Sequence, residues 1–140
     1  MAYLLAALGG ALGALARWSI TTVFPASPGG WPWATLLVNL SGCFLIGVLL
    51  AVVLHSFPAS PWIRPFLAVG VLGGFTTYSS FAVDVVRLTG AGHEVIAVAY
   101  VLVSVLGGVL AVVVGLVVAR IAIHAVDSLD DELRAGEGET

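Results

Sequence analysis

From Val95 to Ala119 the chain runs for 25 residues without a charged side chain. A helix rising about 1.5 Å per residue over that length crosses the roughly 30 Å hydrocarbon core of a bilayer. Three more apolar stretches precede it. The first covers about Tyr3–Phe24 and ends in Pro25-Ala-Ser-Pro-Gly-Gly30, a loop by its residues alone. The second covers about Ala34–Leu54 and stops at His55-Ser-Phe-Pro58. Pro61 opens a third, roughly Trp62–Leu88, closed by Thr89-Gly-Ala-Gly92. Trp31, Trp33 and Trp62 fall at expected span ends, where aromatic anchors sit at the membrane–water boundary. The expected fold is an all-α integral membrane protein with four transmembrane helices.

Composition agrees. Of the 140 residues, 60% are hydrophobic and 17 are glycine, while 9% are charged against about 25% in a soluble domain. Five arginines, eight acids and no lysine cannot cover the surface of a water-soluble fold. The same numbers exclude a disordered chain, a disulfide scaffold, collagen and a nucleic-acid binder. Charge is unevenly distributed: residues 1–126 carry a net +2, whereas residues 127–140 carry six acids against Arg134, a net −5. The expected division is a transmembrane domain over 1–126 and an acidic, disordered tail over 127–140. Cys43, the sole cysteine, forms no intrachain disulfide and reads as a small hydrophobe. Ala14-Leu15-Ala16 imitates a signal-peptidase site, but no basic segment precedes it, and residues 1–24 read as a retained span.

Four spans put both termini on one side, so orientation should follow arginines in the short loops. Arg64, Arg120 and Arg134 fall on one side, and Arg87 with Arg17 toward the other. So slight a bias hardly specifies a direction, and insertion both ways, with antiparallel pairing of two copies, is allowed. Small residues recur where helices can approach closely. Gly9 and Gly13 form one G-x-x-x-G, Gly70 and Gly74 another, and Ser104, Gly108, Ala111 and Gly115 a stripe on the fourth span. Four short helices offer little shelter for a pathway, and the pattern points to an oligomer.

Polar groups inside spans are costly and mark function or packing. Most lie in Gly70-Val-Leu-Gly-Gly-Phe-Thr-Thr-Tyr-Ser-Ser-Phe81, around the midpoint of the third span. Paired glycines followed by hydroxyl residues are poor helix sequence, so a break near residue 75 is expected. Unwound backbone at that depth must be buried in protein or line a cavity, where carbonyls can hold a cation and N–H groups face an anion. The plainer reading is an unbroken packing helix with hydroxyls bonded to i−4 carbonyls. Asn39 presents an amide on the face of Gly42, Cys43 and Ile46, as an ion ligand or as interhelical glue. Tyr100 and Ser104 share a face of the fourth span, as do Tyr78, Phe81 and Asp84 on the third. Asp84 and Arg87 are spaced to pair at i,i+3. Arg17 either snorkels to the interface or serves conduction.

Nothing suggests an enzyme. His55, His93 and His124 have no metal-ligand spacing, and no acid lies mid-span to exchange a proton or a cationic drug. Donors remain: the Asn39 amide, the hydroxyls of Thr76, Thr77, Ser79, Ser80 and Ser104, and electropositive aromatic ring edges. That inventory suits a small anion bound without a full positive charge, so that it can also leave.

Three segments carry a family resemblance: Gly9-Gly-Ala-Leu-Gly-Ala-Leu-Ala-Arg17, Thr35-Leu-Leu-Val-Asn-Leu-Ser-Gly-Cys-Phe44 and Gly73-Gly-Phe-Thr-Thr-Tyr-Ser-Ser-Phe81. With Tyr100 and Ser104 on the fourth span, the chain resembles the CrcB or Fluc fluoride channel family over about residues 3–120. The resemblance implies a dual-topology antiparallel homodimer in the inner (plasma) membrane, crossing it several times. Its two pores would export fluoride passively and relieve the toxicity of HF that enters from acid surroundings. By the same resemblance, Asn39 is the pore asparagine and Tyr78 and Phe81 are the aromatics whose edges line the path. Ser79 and Ser80 form a hydroxyl track, with Tyr100 and Ser104 on its fourth-span side. The carbonyls of Gly73 and Thr76, from both copies, would hold a structural sodium ion. Two positions depart from the family pattern. Tyr78 stands where Phe is usual, and Gly108 where a hydroxyl would extend the track. The remaining readings are a non-conducting subunit, one half of a heterodimer with a paralogue, and a small dual-topology multidrug-type exporter, which would want a mid-span acid.

Overall fold

The computed structural model describes residues 1–25, 29–56 and 61–137. Its elements are α1 (Ala2–Val23), α2 (Trp33–Ser56), α3, α4 (Tyr78–Gly90) and α5 (Glu94–Glu137). α3 is π-wound over Arg64–Leu72 and passes into one α-helical turn, Gly73–Phe75. The wide winding begins beside Pro65, which has no N–H to return to the preceding turn. Four stretches are long and apolar enough to cross a membrane: Ala2–Val23, Trp33–Val53, Arg64–Gly90 and Glu94–Leu129. The third is interrupted by Thr76 and Thr77, which are extended rather than helical. The expected break is present, one residue beyond the estimated midpoint. The loop expected at 26–28, most of the 55–60 connection and residues 138–140 of the tail lie outside the described residues.

Glycine decides which helices pair. α1 packs chiefly on α3 and α2 on α5, with α4 laid against α5. The two G-x-x-x-G motifs prove to be each other's partners. A Cβ at Gly70 would stand 2.8 Å from the Ala6 carbonyl and 2.9 Å from Gly9 Cα, and one at Gly13 would strike the Val71 carbonyl. Between α2 and α5 the close approach is made by Gly47 against Val112 and Leu116, and by Gly115 against Phe44 and Val48. Leu40 meets Gly107 and Gly47 meets Leu116, so α2 and α5 run parallel, as the second and fourth of four crossings must. Helix contact through small residues is how packing works where lipid supplies no hydrophobic drive.

Two expectations change. The helix α5 has 44 residues and continues through Glu137, so residues 127–137 are helical rather than disordered. The segment is built from Asp, Ser, Leu, Glu, Arg and Ala, with no helix breaker before Gly136, and it inherits a helix already nucleated by the span. At about 1.5 Å per residue α5 is more than twice as long as a hydrocarbon core is thick, so its C-terminal part stands beyond the bilayer. Trp31, expected as an interfacial anchor, instead packs inward on the core cluster of Leu36, Leu88, Ala97 and Tyr100. Trp33 and Trp62 remain exposed, as anchors should be.

Candidate functional site at the helix break

The break is built by one threonine and one asparagine. Thr77 takes extended φ and ψ and caps α4, its hydroxyl oxygen accepting from the Ser80 N–H at 3.1 Å. Asn39, facing it from α2, replaces the helical partners that the break removes. The Thr77 N–H donates to Asn39 Oδ1 at 2.8 Å, and Asn39 Nδ2 donates to the Thr77 carbonyl at 3.0 Å. One turn further along α2, Gly42 leaves room for the Thr76 methyl, which a Cβ there would strike. Asn39 and Gly42 thus act on neighbouring residues of the same break.

The hydrogen bonds diverted here leave specific atoms free. The Thr77 N–H goes to Asn39 rather than back to the Gly73 carbonyl, and the Ser80 N–H goes to the Thr77 hydroxyl rather than to the Thr76 carbonyl. Gly73 and Thr76 therefore both lose their i+4 donors. Thr76 is otherwise occupied, because its N–H and its hydroxyl both donate to the Leu72 carbonyl at 2.9 Å. The Asn39 amide has two N–H bonds, of which one is used by Thr77, so one donor remains. The Thr77 hydroxyl donates to Ser80 Oγ at 3.0 Å, and with its proton so placed it accepts from Ser79 at 3.2 Å. That leaves the Ser80 proton uncommitted.

Beside the break lies an open groove of about 360 Å³, lined by Asn39, Cys43, Ile46, Thr76, Thr77, Tyr78, Phe81, Ser104 and Val105. No side chain among these carries a charge. Aromatic rings lead away from it in sequence. Tyr78 and Phe81 have centroids 6.0 Å apart at 42°, Phe81 and Tyr100 5.3 Å apart at 37°, and Tyr100 meets Trp31 edge-on at 5.8 Å. Tyr100 is fully buried, whereas Tyr78 is 82% exposed, so the outer end of this ladder is uncovered. Trp31 Nε1, Asp84 Oδ2, Tyr100 OH and Ser104 Oγ are buried without a hydrogen-bond partner. Three of these, on Tyr100, Ser104 and Asp84, lie close to one another and to Thr35, so the region behind the groove is a buried polar cluster.

The structure brings Asn39, Tyr78, Phe81 and Ser104 together on the groove, with Ser79 and Ser80 held to it through Thr77 and Tyr100 behind Phe81. Gly73 and Thr76 flank the break. Arg17, half-buried on α1, is not among the groove's residues. The Asp84–Arg87 pair does not form. Asp84 is 8% exposed and lies beside Tyr100, while Arg87 points outward from the next position round α4. Sequence reasoning counted Thr77 only among the hydroxyl donors, placed Asp84 only on the face of Tyr78 and Phe81, and gave Trp31 no part in the site. Thr77-Tyr-Ser-Ser80 was legible as a cap, a hydroxyl three residues before the N–H it accepts. Trp31 and Asp84 carried no comparable signal, since a Trp at a span end and an acid three residues from an arginine both have commonplace explanations.

Four crossings, a third helix broken at mid-depth and an uncharged, donor-lined groove beside the break define a multi-pass membrane protein with a pathway for a small solute. A family model described as CrcB-like protein, Camphor Resistance (CrcB), matches residues 4–116. The chain belongs to this family. Among its relatives, the fluoride-specific ion channel FluC 2 of Nocardia farcinica (strain IFM 10152) is 45% identical over 118 residues, covering 84% of each chain. The fluoride-specific ion channel FluC of Chelativorans sp. (strain BNC1) is 45% identical over 118 residues, 84% of this chain and 94% of that one. That of Rhizobium meliloti (strain 1021) is 43% identical over 122 residues, again 84% and 94%. All three are named as channels, not enzymes.

Proposed function

We propose that this chain is one protomer of a fluoride-specific ion channel, working as an antiparallel, dual-topology dimer with two pores. It sits in the inner membrane and lets cytoplasmic fluoride out passively. The observation that carries the reading is the groove at the break: a path offering N–H, O–H and ring-edge donors but no full positive charge. Fluoride is small and strongly hydrated, and each water it sheds must be replaced by a donor or entry costs several kcal/mol. The spare Asn39 N–H, the Ser80 and Ser104 hydroxyls and the edges of Tyr78 and Phe81 are such replacements, and none holds the ion too tightly to release it. The names of the relatives point the same way.

A second copy explains what one protomer leaves open. Tyr78 is exposed and the groove is unwalled on that side, which a partner copy would close. The free carbonyls of Gly73 and Thr76 suit a sodium ion, since unwound carbonyls at mid-membrane are hard oxygen ligands of this kind. Those two carbonyls would hold the ion, which would supply positive charge to otherwise unpaired acceptors, while Asn39 and Thr77 keep the backbone broken. The channel proposal is tested by efflux from liposomes containing the purified protein, with fluoride and chloride compared under a potassium ionophore. Fluoride release without chloride release is expected. Release of neither from an intact dimer, or of both alike, sinks the reading.

A further inference from the structure

At the end of the bundle where α2 finishes, a second polar cluster stands apart from the groove. His55 of α2 faces His124 and Arg120 of α5 across a pocket of about 340 Å³, floored by Ala51 and Ile123. Arg120, His124 and Asp127 follow one another at i, i+4 and i+7, on one face of α5. Asp127 Oδ2 lies 3.5 Å from His55 Nε2, and this is the one ion pair among the described residues, so no carboxylate there pairs with Arg120. Nor does any group of three or more His, Cys, Asp or Glu among those residues converge to hold a metal ion.

Depth identifies what meets this pocket. Arg120 is the first charge after the 25 uncharged residues of α5, and His55 ends the apolar run of α2. Trp62, exposed at the start of the returning chain, marks the same boundary. The pocket therefore opens at the level of lipid headgroups, with an apolar floor and a basic rim. We propose that it binds a phosphate group, with Arg120 and His124 donating to its oxygens and Ala51 and Ile123 against whatever carries it. A guanidinium fork matches phosphate geometry and remains charged at any physiological pH. Asp127 lies beside His55 rather than beside Arg120 or His124, which leaves those two donors for the ligand.

The phosphate could arrive on a phospholipid or free in solution, and one experiment separates the two. Thermal unfolding of the purified full-length protein in detergent is followed while phosphatidylglycerol, diacylglycerol or orthophosphate is added. Phosphatidylglycerol is expected to raise Tm and diacylglycerol, which has the tails without the phosphate, is not. In Arg120→Gln/His124→Gln the half-saturating phosphatidylglycerol concentration should rise about tenfold, the loss expected from roughly one charged hydrogen bond. Arg64→Gln, which removes a charge at the same end of the bundle but outside the pocket, should behave as wild type. An equal Arg120-dependent shift with orthophosphate supports the site and assigns it to free phosphate. A phosphatidylglycerol effect matched by diacylglycerol, unchanged in the double variant, or lost equally in Arg64→Gln overturns the proposal. Both substituted side chains are exposed, so packing is spared. Should the double variant still fail to fold, His124→Gln alone decides by the phosphatidylglycerol molecules it retains in native mass spectrometry.

Discussion

Asn39 clasps Thr77 through both ends of its amide, and in the proposed channel its spare N–H would also face the path. Asn39→Ala leaves the Thr77 N–H and carbonyl unpaired, and at about 0.6–2 kcal/mol per hydrogen bond in a membrane the protein should be measurably less stable. Size-exclusion chromatography and thermal unfolding should show that loss together with lost fluoride flux. Phe81→Leu is expected to differ: if the ring edge serves the proposed path, flux falls while the fold survives, because an aliphatic side chain still covers the core cluster. If Phe81→Leu conducts normally, the aromatic ladder is packing and not a pathway. Thr77→Val removes the cap of α4 and should cost about 0.5–2 kcal/mol, whereas Thr77→Ser keeps the hydroxyl and most of the stability. A Thr77→Val variant as stable as wild type would mean that Asn39 alone holds the break.

At the scale of helices, close approach outweighs propensity. Gly13→Ala improves an isolated helix, yet its Cβ meets the Val71 carbonyl of α3, so α1 and α3 must separate and stability should fall by about 1–3 kcal/mol. Gly90→Ala, where nothing lies within 4 Å, should be neutral or slightly stabilising. Equal effects at the two sites in thermal unfolding would refute backbone-to-backbone packing of α1 on α3. The broken third helix follows the same logic. Gly-Gly and Thr-Thr weaken the helix, but the interruption persists because Asn39 supplies the hydrogen bonds that the helix gave up. If the Gly73 and Thr76 carbonyls hold sodium, exchange into sodium-free buffer should lower Tm. Thr76→Ser should keep that dependence, since the ligand is the carbonyl and not the side chain. No response of Tm to sodium removes the ion from the proposal.

For the whole molecule, the decisive quantity is orientation. A near-balanced arginine distribution predicts that C-terminal fusions to a cytoplasmic and to an extracytoplasmic reporter will both be active. Activity of only one would rule out the antiparallel dimer. In an antiparallel dimer the long α5 would project its acidic end on both faces of the membrane.

Length and uncharged runs alone determined the four spans, because the bilayer penalises every unpaired backbone group and every charge, leaving helices as the outcome. The weak third helix and the small-residue faces were legible for the same reason: propensity and side-chain size are local properties. Pairing was not local. That Gly9 meets Gly70 and Gly10 meets Gly74, that Asn39 clasps Thr77, and that Asp84 turns from Arg87 toward Tyr100 depend on which helices lie side by side. Trp31 went inward, and residues 127–137 stayed helical, because neighbours and a nucleated helix outweighed what composition suggested. Sequence determined what each segment could be in a membrane; only the tertiary structure decided which unpaired atoms were left to face a common groove, since a hydrogen bond diverted at the break frees its former acceptor only once its new partner is in place.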